Sequence, residues 1–194
     1  MTLATTKLTL SEYLSYDDGS ENCYELEHGE LLLMPFESEL NRRIAVFLLI
    51  YFSQQGIPAA RLTMKTELAV SGASVSVRVP DLMVLSSELA TILAGATRSI
   101  ILFEMPPPQL VVEVVSPGQK NIDRDYRYKR SEYAARGIEE YWVIDPLQCV
   151  VAIFQLVSGL YEVEEFRGRD CLRSGLFFGL SLTAQQVLAA GDEF

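Results

Sequence analysis

Three charged residues stand in sequence contexts where a folded domain normally buries apolar side chains. Asp81 lies in the run VRVPDLMVL, and Glu113 lies in QLVVEVV, which otherwise has the apolar character of a central strand. At about 100° per residue, Lys129 shares one helix face with Tyr126 and Tyr133, on the side expected to pack on a sheet. Burying a charge is unfavourable unless it is paired, neutralised or bound to a metal. The three residues therefore indicate a site.

These residue types fit phosphoryl chemistry. Two acids on neighbouring strands are oxygen ligands that Mg²⁺ accepts, with water and a substrate phosphate completing its shell. Such an ion polarises a phosphoryl oxygen and lowers the pKa of a bound water, so a nucleophile forms without histidine. A nearby lysine, here Lys129, can orient that water or stabilise charge that builds on phosphorus. Arginines on the outer faces of the same helix would hold flanking phosphates.

Structural explanations compete with this interpretation. Glu113 and Lys129 could form a buried salt bridge with no site at all, and Pro-Asp at Asp81 alone is typical of a turn. Glu37 begins a predicted helix and projects along the face of Ile44, so it could reach the sheet. Its place in the first turn also suits simple compensation of the helix dipole. The residues alone leave these alternatives open.

Composition excludes several classes of protein. The chain has 194 residues, of which 49% are hydrophobic and 22% charged, and its formal charge is −10. Its one histidine, His28, lies in a predicted turn, which argues against His-rich metal sites and a Ser-His-Asp triad. Its three cysteines form no CxxC motif, so neither a disulfide framework nor a zinc site is indicated. The longest apolar run, Ile44 to Phe52, cannot span a bilayer. The N-terminus lacks the pattern of a signal peptide, and we expect a cytoplasmic protein.

Charge is distributed unevenly along the chain. The segment from Gln119 to Arg136 holds six basic and three acidic residues, a net charge of +3, so the remainder carries −13. A solvated helix face with i,i+4 ion pairs would have this composition. A local patch that faces phosphates on an otherwise acidic body would have it as well. Charge alone does not separate the two.

The elements that must position these residues follow from hydrophobic periodicity and turn signals. We expect one domain, 1–194, with a core of about 24–145 and a C-terminal hairpin and short helix in 149–190. The predicted helices are 8–14, 37–55, 119–136 and 183–190, with some helix in 86–100. The predicted strands are two within 23–34, then 60–70, 75–85 with an interruption at Pro80, the Glu113 strand, 140–144, 149–156 and 160–167.

Several stretches together are similar to a known family. YELEHGELLLMP, VPDLMVL, the VEVVSP element, EYWVIDP and the helix motif of Asp125, Lys129 and Tyr133 resemble the Uma2 family. That family belongs to the PD-(D/E)XK restriction-endonuclease-like superfamily, and the resemblance runs from about Tyr24 to about Asp145. It implies an α/β (α+β) fold: a mixed sheet flanked by helices, with extra N-terminal and C-terminal β-hairpins. It also implies a metal-dependent endonuclease.

The resemblance also assigns roles to residues. It implies that Asp81 and Glu113 bind Mg²⁺ or Mn²⁺, with Glu37 as a further acid from the first helix. The superfamily's lysine normally stands two residues after the glutamate, where this chain has Val115. The resemblance places Lys129 in that role instead.

The predicted partner is nucleic acid, with DNA preferred, and no membrane. The apolar excess of the first predicted helix and the hairpins favour a homodimer, in which two sites could address two strands. Asn41 stands where relatives often carry histidine, which departs from the family pattern. A catalytically weak nucleic-acid-binding or regulatory module with the same fold is the alternative function. The predicted nucleic-acid contacts are Arg124, Arg127, Arg130 and Tyr133.

Overall fold

The computed structural model describes residues 7–20, 22–34, 36–71 and 75–192, and these form two mixed β-sheets with helices packed on them. The strands are β1 (Tyr24–Glu27), β2 (Glu30–Leu33), β3 (Leu62–Thr63), β4 (Glu67–Ser71), β5 (Ser76–Arg78), β6 (Leu82–Val84), β7 (Ile100–Ile101), β8 (Leu110–Val114), β9 (Glu140–Asp145), β10 (Val150–Val157) and β11 (Leu160–Phe166). The helices are α1 (Leu10–Leu14), α2 (Glu39–Gln54), α3 (Ser87–Leu93), α4 (Gln119–Asp123), α5 (Arg130–Arg136) and α6 (Ala184–Leu188).

The larger sheet has the strand order β11-β10-β9-β8-β6-β3. Strands β8 and β9 are parallel, and α4 and α5 lie in the connection between them, while the other pairs are antiparallel. One face buries Val112 and Val114 of β8 against Ile44 and Leu48 of α2 and against α6. The opposite face carries α5 and α3. The predicted mixed sheet flanked by helices is therefore confirmed.

The smaller sheet has the order β2-β1-β5-β4-β7, with β4 and β7 parallel and the other pairs antiparallel. Its β1–β2 pair is the predicted N-terminal hairpin. The predicted C-terminal hairpin, β10–β11, adds to the edge of the larger sheet instead of forming a separate unit. The N-terminal hairpin thus belongs to a second sheet, together with β4, β5 and β7, and the sequence did not indicate this sheet.

Two of the crossings between the sheets, β3 to β4 and β5 to β6, lie at neighbouring places. The prediction of one strand over 60–70 is wrong. A 3₁₀ turn at Ala59–Arg61 is followed by β3, which ends before Lys65, and β4 then belongs to the other sheet. The predicted strand 75–85 is divided at the interruption expected at Pro80, which has no N–H for a ladder hydrogen bond. Lys65 adopts a positive φ of 55°, and its N–H donates to the carbonyl of Pro80 at 3.3 Å. The two crossings therefore run side by side.

The segment between β8 and β9 is not one regular helix. A π-helical stretch, Arg124–Lys129, separates α4 from α5. Its wider turn keeps residues four apart nearly aligned, and Asp125 and Lys129 both face the interior. The buried side chains of this segment are Asp125, Lys129, Tyr133 and Arg136.

Among the described residues, no helix has both the length and the apolar character needed to cross a bilayer.

Gly137 ends α5 in the left-handed conformation, with φ 81°, as expected of a residue at that position. We predict that Gly137→Ala lowers the free energy of unfolding by about 1 kcal/mol, because a Cβ is strained at positive φ. Urea denaturation measures the change. Gly95→Ala is the matched control, since Gly95 has no positive φ and nothing would meet its Cβ. Equal stabilities of Gly137→Ala and the parent would contradict the prediction.

Candidate functional site

A narrow cavity of about 40 Å³ lies where the two crossings meet the end of β8. Leu82 pairs with Val112 and Met83 with Val111, so the antiparallel register places Asp81 opposite Glu113. The carboxylate of Asp81 also accepts the N–H of Val114 at 2.8 Å. Both predicted acids line this cavity, as do Glu37 and Lys129. The structure thus brings the four predicted catalytic side chains to one place.

Lys129 contacts Glu113 directly. Its Nζ lies 2.8 Å from Glu113 Oε2, and both side chains are almost completely buried. The other oxygen, Oε1, accepts the hydroxyl of Tyr133 at 2.7 Å. The hydroxyl and the ammonium therefore fix the orientation of the Glu113 carboxylate. The predicted contact of Tyr133 with nucleic acid is wrong, because its side chain is fully buried and its hydroxyl bonds to Glu113.

Two further acids surround the ammonium of Lys129. Asp125 lies at 3.4 Å, and Glu25 of β1 lies at 3.5 Å. Glu25 also approaches Arg78 at 3.2 Å, and its other oxygen accepts the N–H of Val79 at 3.1 Å. The cluster therefore joins the smaller sheet to the larger one through charge-assisted contacts.

Burial and charge act in opposite directions within this cluster. Burial raises the pKa of Glu113 to about 7, although Lys129 opposes the shift. Burial alone would lower the pKa of Lys129, but the three neighbouring carboxylates raise it. At Glu25 burial is outweighed, and Lys129, Arg78 and Arg124 lower its pKa to about 2. Lys129 and Glu25 therefore stay charged near neutral pH.

Glu37 and Asp81 share a cation supplied by the chain itself. Lys65 Nζ lies 2.8 Å from Asp81 Oδ1 and 3.3 Å from Glu37 Oε2. Within the described ranges, Glu37 Oε1 is the one buried side-chain oxygen or nitrogen without a hydrogen-bond partner. An ammonium between two carboxylates occupies the kind of position that a metal cation would take. Glu37 Oε1, which has no hydrogen-bond partner in those ranges, is an oxygen that could bind such a cation.

Glu37 is not part of α2, contrary to the prediction. Ser38 caps the helix by accepting the N–H of Asn41 at 3.1 Å, and Glu39 is the acid of the first turn. Glu37 thus precedes the cap, so it does not compensate the dipole from the first turn. Asn41 is buried, and its amide donates to the carbonyl of Val114 at 3.1 Å.

The three arginines that were predicted to contact nucleic acid lie in different environments. Arg124 is mostly buried and lines the cavity. Arg127 is exposed and lies 3.8 Å from Asp123. Arg130 donates to the carbonyl of Tyr161 at 3.1 Å and stacks over Phe154, so it holds α5 against the C-terminal hairpin. Of the three, the structure places only Arg124 at the cavity.

Sequence reasoning missed Glu25 and Lys65. The signal for Glu25 was present: it stands between Tyr24 and Leu26 in a short strand, and alternation places it with residues that face away from Leu26. Nothing marked Lys65, which lay inside a predicted strand. Its role depends on the left-handed turn between the sheets.

The residues of the cavity fit a divalent cation as a site with two carboxylates. No group of three or more His, Cys, Asp or Glu side chains in the described part of the chain is arranged to hold a metal on its own. The donors present are hard carboxylate oxygens, which suit Mg²⁺ when water and substrate supply the other ligands. The ammonium of Lys65 and the free oxygen of Glu37 support this fit.

We predict that Glu25→Gln lowers the free energy of unfolding at pH 7 by about 3 kcal/mol, because the folded state holds the pKa of Glu25 below its value of 4.5. An acid whose pKa is lower in the folded than in the unfolded state stabilises the fold at pH values above its unfolded-state pKa. The difference from the parent should therefore shrink as pH falls from 4.5 to about 2. Urea unfolding across this range measures it, with exposed Glu30→Gln as the control. A difference independent of pH would contradict the prediction.

Comparisons with known proteins identify the family and the fold. The chain is similar to a crystal structure described as a "putative nuclease belonging to DUF820" from Anabaena variabilis ATCC 29413. The TM-score is 0.72 at 17% identity, over 94% of this chain and 98% of that one, which shows a shared fold. A search of curated proteins found no match. The model of the Uma2 family, described as "putative restriction endonuclease", matches residues 10–185. The chain therefore belongs to the Uma2 family.

Proposed function

We propose that this chain is a metal-dependent endonuclease that hydrolyses phosphodiester bonds of nucleic acid with Mg²⁺ or Mn²⁺. One observation carries the proposal: Glu37, Asp81 and Glu113 line the same cavity, and an ammonium lies between two of them. Membership of a family described as restriction endonucleases and the fold shared with a described nuclease support it.

Asp81 and Glu113 would hold the ion, and Glu37 would offer its unpaired oxygen. When bound, the ion would polarise the phosphoryl oxygen and lower the pKa of a water molecule. Asp81 is fixed for this role by the N–H of Val114, and Glu113 is fixed by Tyr133. These contacts remove rotamer freedom from both carboxylates before any ligand arrives.

Lys129 would place a positive charge beside the reacting phosphate. The surrounding carboxylates keep it protonated, so it acts by stabilising negative charge and not as a base. Arg124, which lines the same cavity, would assist in binding the phosphate. Exposed Arg127 would contact a flanking phosphate, with DNA the preferred substrate.

A homodimer belongs to the same proposal. Leu40 and Ile50 of α2 are 41% and 49% exposed, which leaves apolar surface on this helix for a second copy. Sedimentation velocity at micromolar concentration tests it, and a single species at the monomer mass would contradict it.

A nucleic-acid-binding module without turnover is the second candidate. Its support is that the carboxylates are already satisfied within the chain, since Lys65 bridges Glu37 and Asp81 and both oxygens of Glu113 have partners. Such a module would bind nucleic acid equally well with and without divalent cations.

We predict that the parent chain cleaves DNA with Mg²⁺ or Mn²⁺ and that Asp81→Asn lowers the rate by about 100-fold or more. Asparagine keeps an oxygen for the N–H of Val114, so the fold should persist. Cleavage of a mixture of plasmid, linear duplex and structured RNA gives the readout. Asp170→Asn is the matched control, because Asp170 also accepts a backbone N–H but lies in the C-terminal segment.

Lys129→Ala should lower the rate as well, while Lys120→Ala, on the exposed part of the same segment, should not reduce the turnover rate. Cleavage that is indifferent to both Asp81→Asn and Lys129→Ala would contradict the assigned roles. Binding without cleavage by the parent would favour the module.

We predict that Lys65→Met tightens Mn²⁺ binding by about tenfold, because it removes the ammonium that competes for Glu37 and Asp81. Methionine keeps much of the apolar stem without the charge. Calorimetric titration of Mn²⁺ without nucleic acid measures the affinity, and Lys7→Met serves as the control. Weaker binding by Lys65→Met would contradict competition and make the lysine a supporting group.

A further inference from the structure

A second, larger cleft opens beside the carboxylate cavity. It has a volume of about 690 Å³ and lies between the smaller sheet, α1 and the segment that leads into α2. Met34, Glu37, Lys65 and Val79 line both spaces, so the two adjoin. A ligand that reaches the carboxylates therefore lies next to this cleft.

Aromatic rings dominate the surface of the cleft. Tyr13, Tyr16, Tyr24 and Phe36 line it, and the rings of Tyr16 and Tyr24 lie 5.6 Å apart in an edge-to-face arrangement. Phe36 is fully exposed, and Tyr16 is 43% exposed. Exposed rings at the mouth of a cleft contribute nothing to the core. They are available to stack on a flat ligand.

Several polar groups of the cleft already have partners within the chain. The hydroxyl of Tyr13 bonds to Glu67 at 2.6 Å, and that of Tyr24 bonds to Asp18 at 2.5 Å. Arg98 holds both oxygens of Glu67, at 2.6 and 2.7 Å. Glu67 and Arg98 are thus paired, and the guanidinium of Arg98 lies over the ring of Tyr13. The aromatic surface left for a ligand is chiefly that of Tyr16 and Phe36. A flat, uncharged ring fits this surface better than a phosphate does.

We propose that this cleft binds an unpaired nucleobase of single-stranded nucleic acid, from a nucleotide next to the phosphate that is cleaved at the proposed site. The choice of ligand rests on the proposed function. Bases stack on aromatic side chains with little dependence on sequence, each contributing about 1–3 kcal/mol. A base in a duplex is stacked on its neighbours and cannot enter the cleft unless it is extruded. The preferred substrate is therefore a strand with an unpaired nucleotide at the cleavage point.

The test uses a single-stranded DNA 12-mer with 2-aminopurine at its centre, the parent chain and EDTA, so that binding is measured without turnover. We expect a fluorescence change on binding that the same oligonucleotide in a fully paired duplex does not show. Phe36→Ala and Tyr16→Ala should each weaken binding of the single strand about tenfold. Phe178→Ala is the matched control, because Phe178 is 94% exposed and does not line the cleft.

The outcomes separate this inference from the proposed function. Equal binding of duplex and single strand would overturn base binding in the cleft. Single-strand binding that neither Phe36→Ala nor Tyr16→Ala weakens would overturn it too. Neither result bears on the nuclease proposal. A fluorescence response that a free 2-aminopurine nucleotide reproduces at the same affinity would also overturn this inference, since a strand would not be required. Base binding that depends on Phe36, without cleavage in Mg²⁺ or Mn²⁺, would support the cleft and contradict the nuclease.

Discussion

The burial of one ammonium group among three carboxylates constrains the rest of this structure. Lys129 comes from the segment between β8 and β9, Glu113 from the larger sheet and Glu25 from the smaller one. An unpaired charge at this depth would cost several kcal/mol, so these elements must meet in one arrangement. Because Arg78 of the smaller sheet contacts both Glu25 and Glu132 of α5, the same network fixes the smaller sheet against the connection that carries Lys129. Replacing such a network by apolar side chains is often neutral or stabilising, which makes its presence a reason to look for chemistry.

The division into two sheets explains why a cleft exists at all. A single sheet through β5 and β6 would have continued past Pro80 and buried Asp81 in a ladder. Instead the chain leaves one sheet and enters the other at Asp81, and the neighbouring crossing does so at Lys65. Backbone that is not paired in a ladder can present side chains to a cavity. The acids, the bridging lysine and the aromatic cleft all lie along this junction.

The sequence predicted those features that depend on local contrast. Asp81 and Glu113 stood out because their neighbours are apolar, and Lys129 stood out because helical periodicity places it on a packing face. Both hairpins followed from alternation and turns, whereas the mixed sheet was implied by the resemblance to the Uma2 family. The features that the sequence did not predict depend on long-range placement: the second sheet, the pairing of Glu25 with Lys129, and the bridge made by Lys65. Helical periodicity placed Tyr133 on the packing face as well, which conflicts with its prediction as a nucleic-acid contact. No sequence rule says that its hydroxyl will meet a buried acid.

In the proposed site, Glu37 and Asp81 pair with the ammonium of Lys65, and a divalent cation from solution would compete for the same carboxylates. Lys65 is partly exposed and strained at its backbone, so displacing it disturbs little of the core. Crystals soaked in MnCl₂, with data collected at the manganese absorption edge, test the central claim most directly. We predict an anomalous peak between Asp81 and Glu113, with the ammonium of Lys65 moved away from Asp81. A map without a peak there, and with Lys65 still joining Glu37 to Asp81, would contradict a metal-dependent site.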